Sequence, residues 1–209
     1  MSIQNLILAI VIGYLLGCIQ SSYLLGMLIK KIDIRKYGTT NAGTSNAILI
    51  LGWKYGIIVC LLDIFKGTLA IILVKCFLGN TNDIYFLMYT CGASVILGHN
   101  FPFYMKLKGG KGTASLIGML LAIDWHMALI GLLSLIIVTL ISNYIAIGTI
   151  ALLLSFCICT AAFRFGVGPT IISIALSLLS VYKHSPNIKK IYNNEEMRIR
   201  KSIKKIKHH

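Results

Sequence analysis

Gly98-His99-Asn100-Phe101-Pro102-Phe103-Tyr104-Met105-Lys106-Leu107-Lys108-Gly109-Gly110-Lys111-Gly112-Thr113 lies between two apolar runs, and its last eight residues hold three lysines and three glycines. Glycine lets the backbone come close to a ligand and turn its N–H groups inward. Successive inward N–H groups form a concavity for anions, and a helix starting just afterwards adds its positive end. Lys108 and Lys111 add full charges on flexible stems. A loop of this kind at a membrane surface suits a phosphate on a lipid or lipid precursor. The plainer reading is a basic loop that fixes topology and nothing more.

The residues around this loop set the class of protein. The chain is 57% hydrophobic and 12% charged over 209 residues, with a mean hydropathy of +0.83. Those values exclude a soluble domain and fit an all-α, polytopic membrane protein. Twenty basic residues against six acidic ones give a net charge of +14. The basic residues sit in loops and in a tail between apolar runs. Anionic lipid and positive-inside topology therefore explain them better than nucleic acid does. The six cysteines lie in or beside apolar segments with no paired CxxC spacing. They read as small apolar residues, with neither a disulfide frame nor a metal site.

Seven apolar runs are candidate spans: roughly 3–29, 55–78, 83–98, 112–123, 126–142, 144–162 and 166–182. A crossing needs about 20 residues, so the fourth run is tilted, partial or extended into the loop before it. A six-span chain, with 112–142 bent differently, is the alternative. The first run reads as a span and not as a cleavable leader, because it has no charged n-region and no small-residue cleavage pattern and is long enough to span. The segments 30–54 and 99–111, with the tail from Lys183 onward, hold seventeen of the twenty basic residues; the opposite loops hold only Arg164. The basic set is expected in the cytoplasm. Seven spans then put the N-terminus outside and the C-terminus inside. Residues 1–196 read as a single domain and 197–209 as a basic tail.

The polar residues of interest all fall on the basic side. The first loop, Asp33 to Asn46, gathers glycines, asparagines and hydroxyls that offer neutral donors; a solvated turn with a helix N-cap at Ser45 or Asn46 would look the same. Asp63 and Lys66 stand three apart inside a span, so they share a helix face and can pair. His99 reads as a base or as a hydrogen-bonded structural residue. His184-Ser185-Pro186-Asn187 follows the last span, where proline is expected to end the helix.

Taken in order, the elements are Asp33-x-Arg35-x-x-Gly38, Asn41, Gly43-x-x-Asn46, Asp63-x-x-Lys66-Gly67, Gly98-His99-x-Phe101-Pro102 with Lys108-Gly109-Gly110-Lys111-Gly112, and His184-x-x-Asn187-Ile188 with Glu196. This order resembles the bacterial acyl-phosphate:glycerol-3-phosphate acyltransferases, integral membrane enzymes of phospholipid synthesis, from Gly17 to Glu196. The resemblance implies seven helices around a site facing the cytoplasm of a bacterial (inner) membrane. It implies transfer of a fatty acyl group from acyl phosphate to the 1-hydroxyl of glycerol-3-phosphate, giving lysophosphatidic acid, with no cofactor. Carried over residue by residue, it assigns Lys111, His184, Asn187 and Thr39 to catalysis. It assigns Lys108, Gly109, Gly110, Gly112, Asn41, Asn46 and Thr149 to substrate binding, with Asp33, Arg35, Asp63, Lys66, His99 and Glu196 in support. The partners it implies are the two substrates, membrane lipids and the soluble enzyme that produces acyl phosphate; nucleic acid is not among them.

The chain departs from the family pattern at several positions. Thr39 stands for a serine and Thr40 for a glycine; Leu49 stands where the family has an arginine; Ala146 and Thr149 replace serines, and Asn194 replaces a glycine. Two other classes stay open on the residues alone: a catalytically altered relative that binds lipid phosphates or acylates another acceptor, and a small transporter built around Asp63 and Lys66. Acyl-transfer assays with several polyol phosphates separate the first, and flux through liposomes the second.

Overall fold

The computed structural model describes residues 2–200, and these are helical without strands. In chain order the helices are α1 (Ile3–Gly17), α2 (Ser21–Lys30), α3 (Thr44–Leu51), α4 (Trp53–Leu78), α5 (Ile84–Asn100), α6 (Thr113–Ile123), α7 (Trp125–Ser142), α8 (Ile145–Ala162) and α9 (Val167–Tyr192). Among the described residues five stretches are long and apolar enough to cross a membrane: Ile3–Lys30, Trp53–Leu78, Trp125–Ser142, Ile145–Ala162 and Val167–Tyr192. α5 falls just short at 17 residues. α6 stays at 11 residues, about 16 Å of helix, roughly half the hydrocarbon thickness. It does not extend back into the glycine loop. Nor does it fuse with α7, because Asp124 caps α7 through the N–H groups of His126 and Met127.

One expectation is refined here and two are corrected. The first run, 3–29, is two helices: α1 stops at Gly17, and Cys18–Gln20 form a break before α2. The first basic segment contains α3, whose N-cap is Gly43 and not Ser45 or Asn46. Pro186 does not end the last helix, which runs on to Tyr192. Proline at 186 cannot donate to the carbonyl of Tyr182, but the Ser185 hydroxyl donates to that oxygen at 2.7 Å and keeps it satisfied. Of the basic tail, residues 201–209 lie outside the described residues.

Close backbone approach holds the bundle together. A Cβ on Gly13 or Gly17 of α1 would run into the carbonyls of Cys91 or Val95 of α5, and one on Gly98 of α5 into Tyr14 of α1. Side-chain-free positions are what let two helices meet this tightly where lipid gives no hydrophobic drive. α4 and α6 meet in the same way, Gly67 over the Ser115 carbonyl and Gly118 over that of Ile64. Between these pairs the core is filled by Tyr89, Met119, Leu120, Leu152 and Phe156, and the Tyr89 hydroxyl is satisfied by Thr160 at 2.9 Å.

The break after α1 exposes carbonyls that no helix continues to satisfy. Lys66 of α4 reaches them. Its ammonium donates to the carbonyls of Ile19 at 2.7 Å and Gly17 at 3.3 Å. It also pairs with Asp63 at 2.9 Å and meets His99 Nδ1 at 2.8 Å. Ser21 donates to Asp63 at 3.0 Å, and the Gln20 amide donates to the His99 carbonyl at 3.0 Å. All of these side chains are buried. Removing one partner of a buried ion pair leaves an uncompensated charge, at a cost of roughly 3–5 kcal/mol, whereas replacing both is far cheaper. Asp63→Leu and Lys66→Met should each lower the thermal midpoint in detergent strongly, and the double variant by clearly less than their sum. Additive losses would show that the two are not coupled.

Candidate active site

The basic loops meet at one end of the bundle. Asp33 caps the turn Ile34–Lys36 and grips Arg35 at 2.7 Å; these hydrogen bonds hold the Asp33 carboxyl below the usual carboxylate range. Arg35 in turn donates to the carbonyls of Met105 at 2.9 Å and Lys108 at 3.2 Å, which fastens the first loop to the glycine loop. Inside the first loop, Asn46 is fully buried. Its amide donates to the carbonyls of Ile34, Tyr37 and Asn41, and its oxygen accepts from the Thr39 N–H. The polar atoms of Asn46 are thus spent on shaping the loop. Thr40 adopts φ +59°, a left-handed backbone that costs a β-branched residue roughly 1–2 kcal/mol. That accounts for glycine being the easier residue there.

The glycine loop is pressed flat against the end of α5. Gly109 N–H donates to the Asn100 carbonyl at 3.1 Å, and Gly110 N–H to the His99 carbonyl at 3.0 Å. A Cβ on Gly109 would strike the His99 carbonyl, and one on Gly110 the His99 ring and the Ala42 carbonyl. These two glycines therefore close α5 and seat the first loop, so their own N–H groups are not the anion donors that the spacing suggests. The donors left over lie further along. Gly112, at φ +84°, turns the chain into α6, whose first N–H groups, at Thr113 to Ser115, have no intrahelical acceptor. Lys111 stands at their edge. Lys108 is exposed.

Lys111 donates through Nζ to Asn187 Oδ1 on α9, and the Asn187 amide donates to Glu196 at 2.7 Å. Asn187 thus links the loop, the last helix and the residues after it. Asn194, at φ +60°, turns the chain so that Glu196 comes back, a conformation asparagine tolerates where glycine would be easiest. Residues 198–200 continue over the α7–α8 turn: Arg198 donates to the Tyr144 hydroxyl at 3.1 Å, and the Ile199 N–H to the Asn143 carbonyl at 3.1 Å. Burial lowers the Lys111 pKa to about 8; the Glu196 carboxylate opposes this, while Lys183 and Lys190 push it further down. The Lys183 ammonium lies 4.8 Å from the Phe101 ring centre.

His184 is buried, one turn before Asn187. Its Nδ1 lies 2.9 Å from the Ser180 carbonyl. A carbonyl only accepts, so Nδ1 carries the proton, and the neutral imidazole presents Nε2 as an acceptor. Beside Lys111 a small cleft opens between helices, lined by Ile96, Leu116, Leu153 and Leu176, with Gly112, Thr113 and Ser180 at its rim. Thr149 lies one turn before Leu153 on α8, buried and donating to Ile145. Several buried polar atoms have no protein partner: Thr39 Oγ1, Asn41 Oδ1, both amide atoms of Asn100, and Ser115 Oγ. Orphaned polar groups at such a density mark where water or a ligand sits.

The sequence-level candidates therefore divide. Lys111, Asn187, Glu196 and His184 come together directly. Arg35, Asp33, Asn46, His99, Gly109 and Gly110 hold the loops in shape, and Asp63 and Lys66 form the buried node beneath them. Leu49 is half-exposed on α3 and brings no charge, while Lys36 and Lys54 are exposed, and Lys54 lies by Tyr55. The sequence reading missed Asn100, Ser180 and the cleft. Only its neighbour in Gly98-His99 flagged Asn100, and the cleft residues are ordinary apolar residues that become distinctive only where four helices converge.

Comparison with known proteins gives one consistent result. The glycerol-3-phosphate acyltransferase family profile matches residues 7–194. Glycerol-3-phosphate acyltransferase 1 of Oceanobacillus iheyensis is 46% identical over 197 residues, covering 92% of this chain and 94% of its own. The enzyme of that name from Enterococcus faecalis is 36% identical over 206 residues, covering 94% and 93%. Among solved structures, the glycerol 3-phosphate form of PlsY (YgiH), an integral membrane glycerol 3-phosphate acyltransferase, superposes with a TM-score of 0.84 at 29% identity, over 93% of this chain and 95% of that one. Its lysophosphatidic acid form gives 0.81 at 28%, over 92% and 94%.

The charge on Lys111 should set how well the end of the bundle holds an anion. Binding of inorganic phosphate, read as a rise in thermal midpoint, should weaken as pH climbs through about 8. Lys111→Arg, which stays charged, should flatten that step. A step unchanged in the arginine variant would move the titration to another group.

Proposed function

The chain belongs to the glycerol-3-phosphate acyltransferase family, and on that premise we propose how it acts. It transfers a fatty acyl group from acyl phosphate to the 1-hydroxyl of glycerol-3-phosphate, giving lysophosphatidic acid and inorganic phosphate. The observation that carries this reading is the placement of Lys111, between the unspent N–H groups at the start of α6 and the apolar cleft of Ile96, Leu116, Leu153 and Leu176. A cation and a helix N-terminus suit a phosphate; the cleft suits the start of an acyl chain.

Acyl phosphate is a mixed anhydride and already activated, so positioning and charge stabilisation are what the protein supplies. The acceptor oxygen attacks the acyl carbon, the bond from that carbon to the phosphate oxygen breaks, and phosphate leaves with the proton of the attacking hydroxyl. Lys111 neutralises phosphate charge. In its neutral form His184, whose Nδ1 donates to Ser180, offers Nε2 to accept the hydrogen bond of the attacking hydroxyl and orient it. Thr39 Oγ1, Asn41 Oδ1 and Asn100 supply neutral hydrogen bonds from the opposite wall.

Seven crossings complete the reading: α1 with α2 as one, then α4, α5, α6, α7, α8 and α9. Three observations support it: Arg35 ties the loops after α2 and α5 together, Asn187 ties the second to the tail, and Ile199 ties the tail to the α7–α8 turn. The basic composition of that end orients it to the cytoplasm of a bacterial membrane. The soluble enzyme that makes acyl phosphate would meet it there.

Purified protein should transfer from acyl phosphate and not from acyl-CoA or acyl-carrier protein. Lys111→Ala should cut that rate at least tenfold, about 1.4 kcal/mol, with membrane insertion intact. A near-normal rate in this variant would remove Lys111 from the site.

Single cysteines at Thr39 and Asn82, in a background free of the native cysteines, should label from opposite sides of the membrane. Labelling from one side would end the seven-crossing arrangement.

A further inference from the structure

Asn100 closes α5 with its side chain fully buried, and neither atom of its amide has a hydrogen-bond partner among the described residues. Its main chain is occupied, since its carbonyl receives the Gly109 N–H. An amide shut away from water with nothing to bond is costly. A fold keeps such a group where an ordered water or a ligand completes it.

The place of this amide is marked by Gly112, the N-cap of α6. A Cβ on Gly112 would stand 3.2 Å from Asn100 Oδ1 and 3.0 Å from Ile96 Cγ2. The amide therefore lies against the start of α6, where the N–H groups of Thr113 to Ser115 have no acceptor within the helix. Ile96 lies four residues before Asn100 on the same face of α5, and it lines the apolar cleft together with Lys111, Gly112 and Thr113. Lys111 turns its ammonium to Asn187 on α9. The polar end of the cleft thus carries a neutral amide on its α5 side and a cation on its α9 side. An acyl chain lying against Ile96 brings its first polar group, the carbonyl, about one helical turn on, to Asn100; the phosphate attached to that carbonyl reaches Lys111. The cleft is nearly closed, at about 10 Å³, and solvent does not reach the amide, so its N–H groups are not spent on bulk water before a chain parts the walls.

We propose that the Asn100 amide, beside the free N–H groups that open α6, donates to the carbonyl oxygen of the acyl donor and stabilises the negative charge that forms there during transfer. The assignment rests on the acyl-transfer reading above. As the acceptor oxygen bonds to the acyl carbon, the carbonyl electron pair moves on to its oxygen. When the bond from that carbon to the phosphate oxygen breaks, the pair returns, and phosphate departs with the bonding electrons and the hydroxyl proton. The charge on the carbonyl oxygen exists only between those two events. Donors already fixed in a dry pocket hold it more strongly than they hold the starting carbonyl. An uncharged donor also leaves the phosphate to Lys111.

The test uses the full-length protein in lipid micelles, with Asn100→Leu, close in size and without hydrogen-bonding atoms, and Asn100→Ala. Both should lower kcat about a hundredfold, the scale of one oxyanion donor, and leave KM for acyl phosphate and for glycerol-3-phosphate within about threefold. Stabilisation by inorganic phosphate should not change. The thermal midpoint of Asn100→Leu should equal or exceed that of the parent, since leucine removes polar atoms that have no partner. A residue serving the fold alone would give the reverse, a lower midpoint with kcat retained. A normal kcat in both variants leaves the amide to an ordered water and overturns the assignment. A raised KM for acyl phosphate with weaker phosphate stabilisation also overturns it, by putting the amide on the phosphate. A parent protein inactive with acyl phosphate overturns the acyl-transfer reading and this assignment together, whereas an active parent with unimpaired variants removes this assignment alone.

Discussion

The last carbonyls of α1 face the inside of the bundle with no further turn of helix to receive them, and the Lys66 ammonium caps them. A carbonyl left bare in hydrocarbon costs several kcal/mol, so the break at Cys18–Gln20 depends on the lysine that α4 carries at this depth, with Tyr104 covering the Cys18 carbonyl. That lysine is paired with Asp63 and lies against His99 Nδ1. The His99 carbonyl receives Gly110, and Gly110 seats the loop that carries Lys111. A chain of hydrogen bonds thus runs from the buried ion pair to the loop that carries Lys111.

Much of this could be read from the residues before any coordinates. Loop charges grouped the segments after α2 and α5 with the tail, and the contacts of Arg35 and Lys111 join those segments, since basic residues avoid the apolar runs. Asp63 and Lys66 declared themselves by a three-residue spacing inside a span. The parts that stayed hidden share a physical cause: they depend on groups whose identity carries no signal. Cys18–Gln20 interrupts a run that carries no charge, and the short polar stretch Gln20-Ser21-Ser22 at the break is too brief to split it by hydropathy. Pro186 looked like a helix end because proline removes a donor; that a serine hydroxyl next to it would occupy the freed carbonyl is a matter of rotamer, not of composition. Gly109 and Gly110 looked like a phosphate cradle, yet glycine spacing cannot say whether the N–H groups face a ligand or the end of the preceding helix. Asn46 is similar. Its residue type fits a ligand contact or a cap, and only the fold shows that four neighbours consume its amide.

The electrostatics of the site are unbalanced in a way that fits its task. Lys111 feels the positive charges of Lys183 and Lys190 and the negative charge of Glu196. The unliganded protein therefore carries repulsion among its own cations, which anionic substrates relieve. Glu196 is held at the edge by Asn187, close enough to moderate Lys111 without a direct bond to it. The turn at Asn194 that returns it also brings residues 198–200 across the α7–α8 turn, so the end of the described chain and the site share one surface.

The Lys66 cap also bears on how the protein is made. α4 enters the bilayer carrying Asp63 and Lys66, which pair with each other and leave the rest of the ammonium to carbonyls of an earlier helix and a histidine of a later one. During synthesis α1 is already present but α5 is not. The nascent α4 must therefore find α1 in the membrane before His99 has left the ribosome, or remain at the insertion machinery until it does. Assembly is committed to an order in which the first crossing waits for the second, and a chain lacking α1 has no stable place for α4 in lipid.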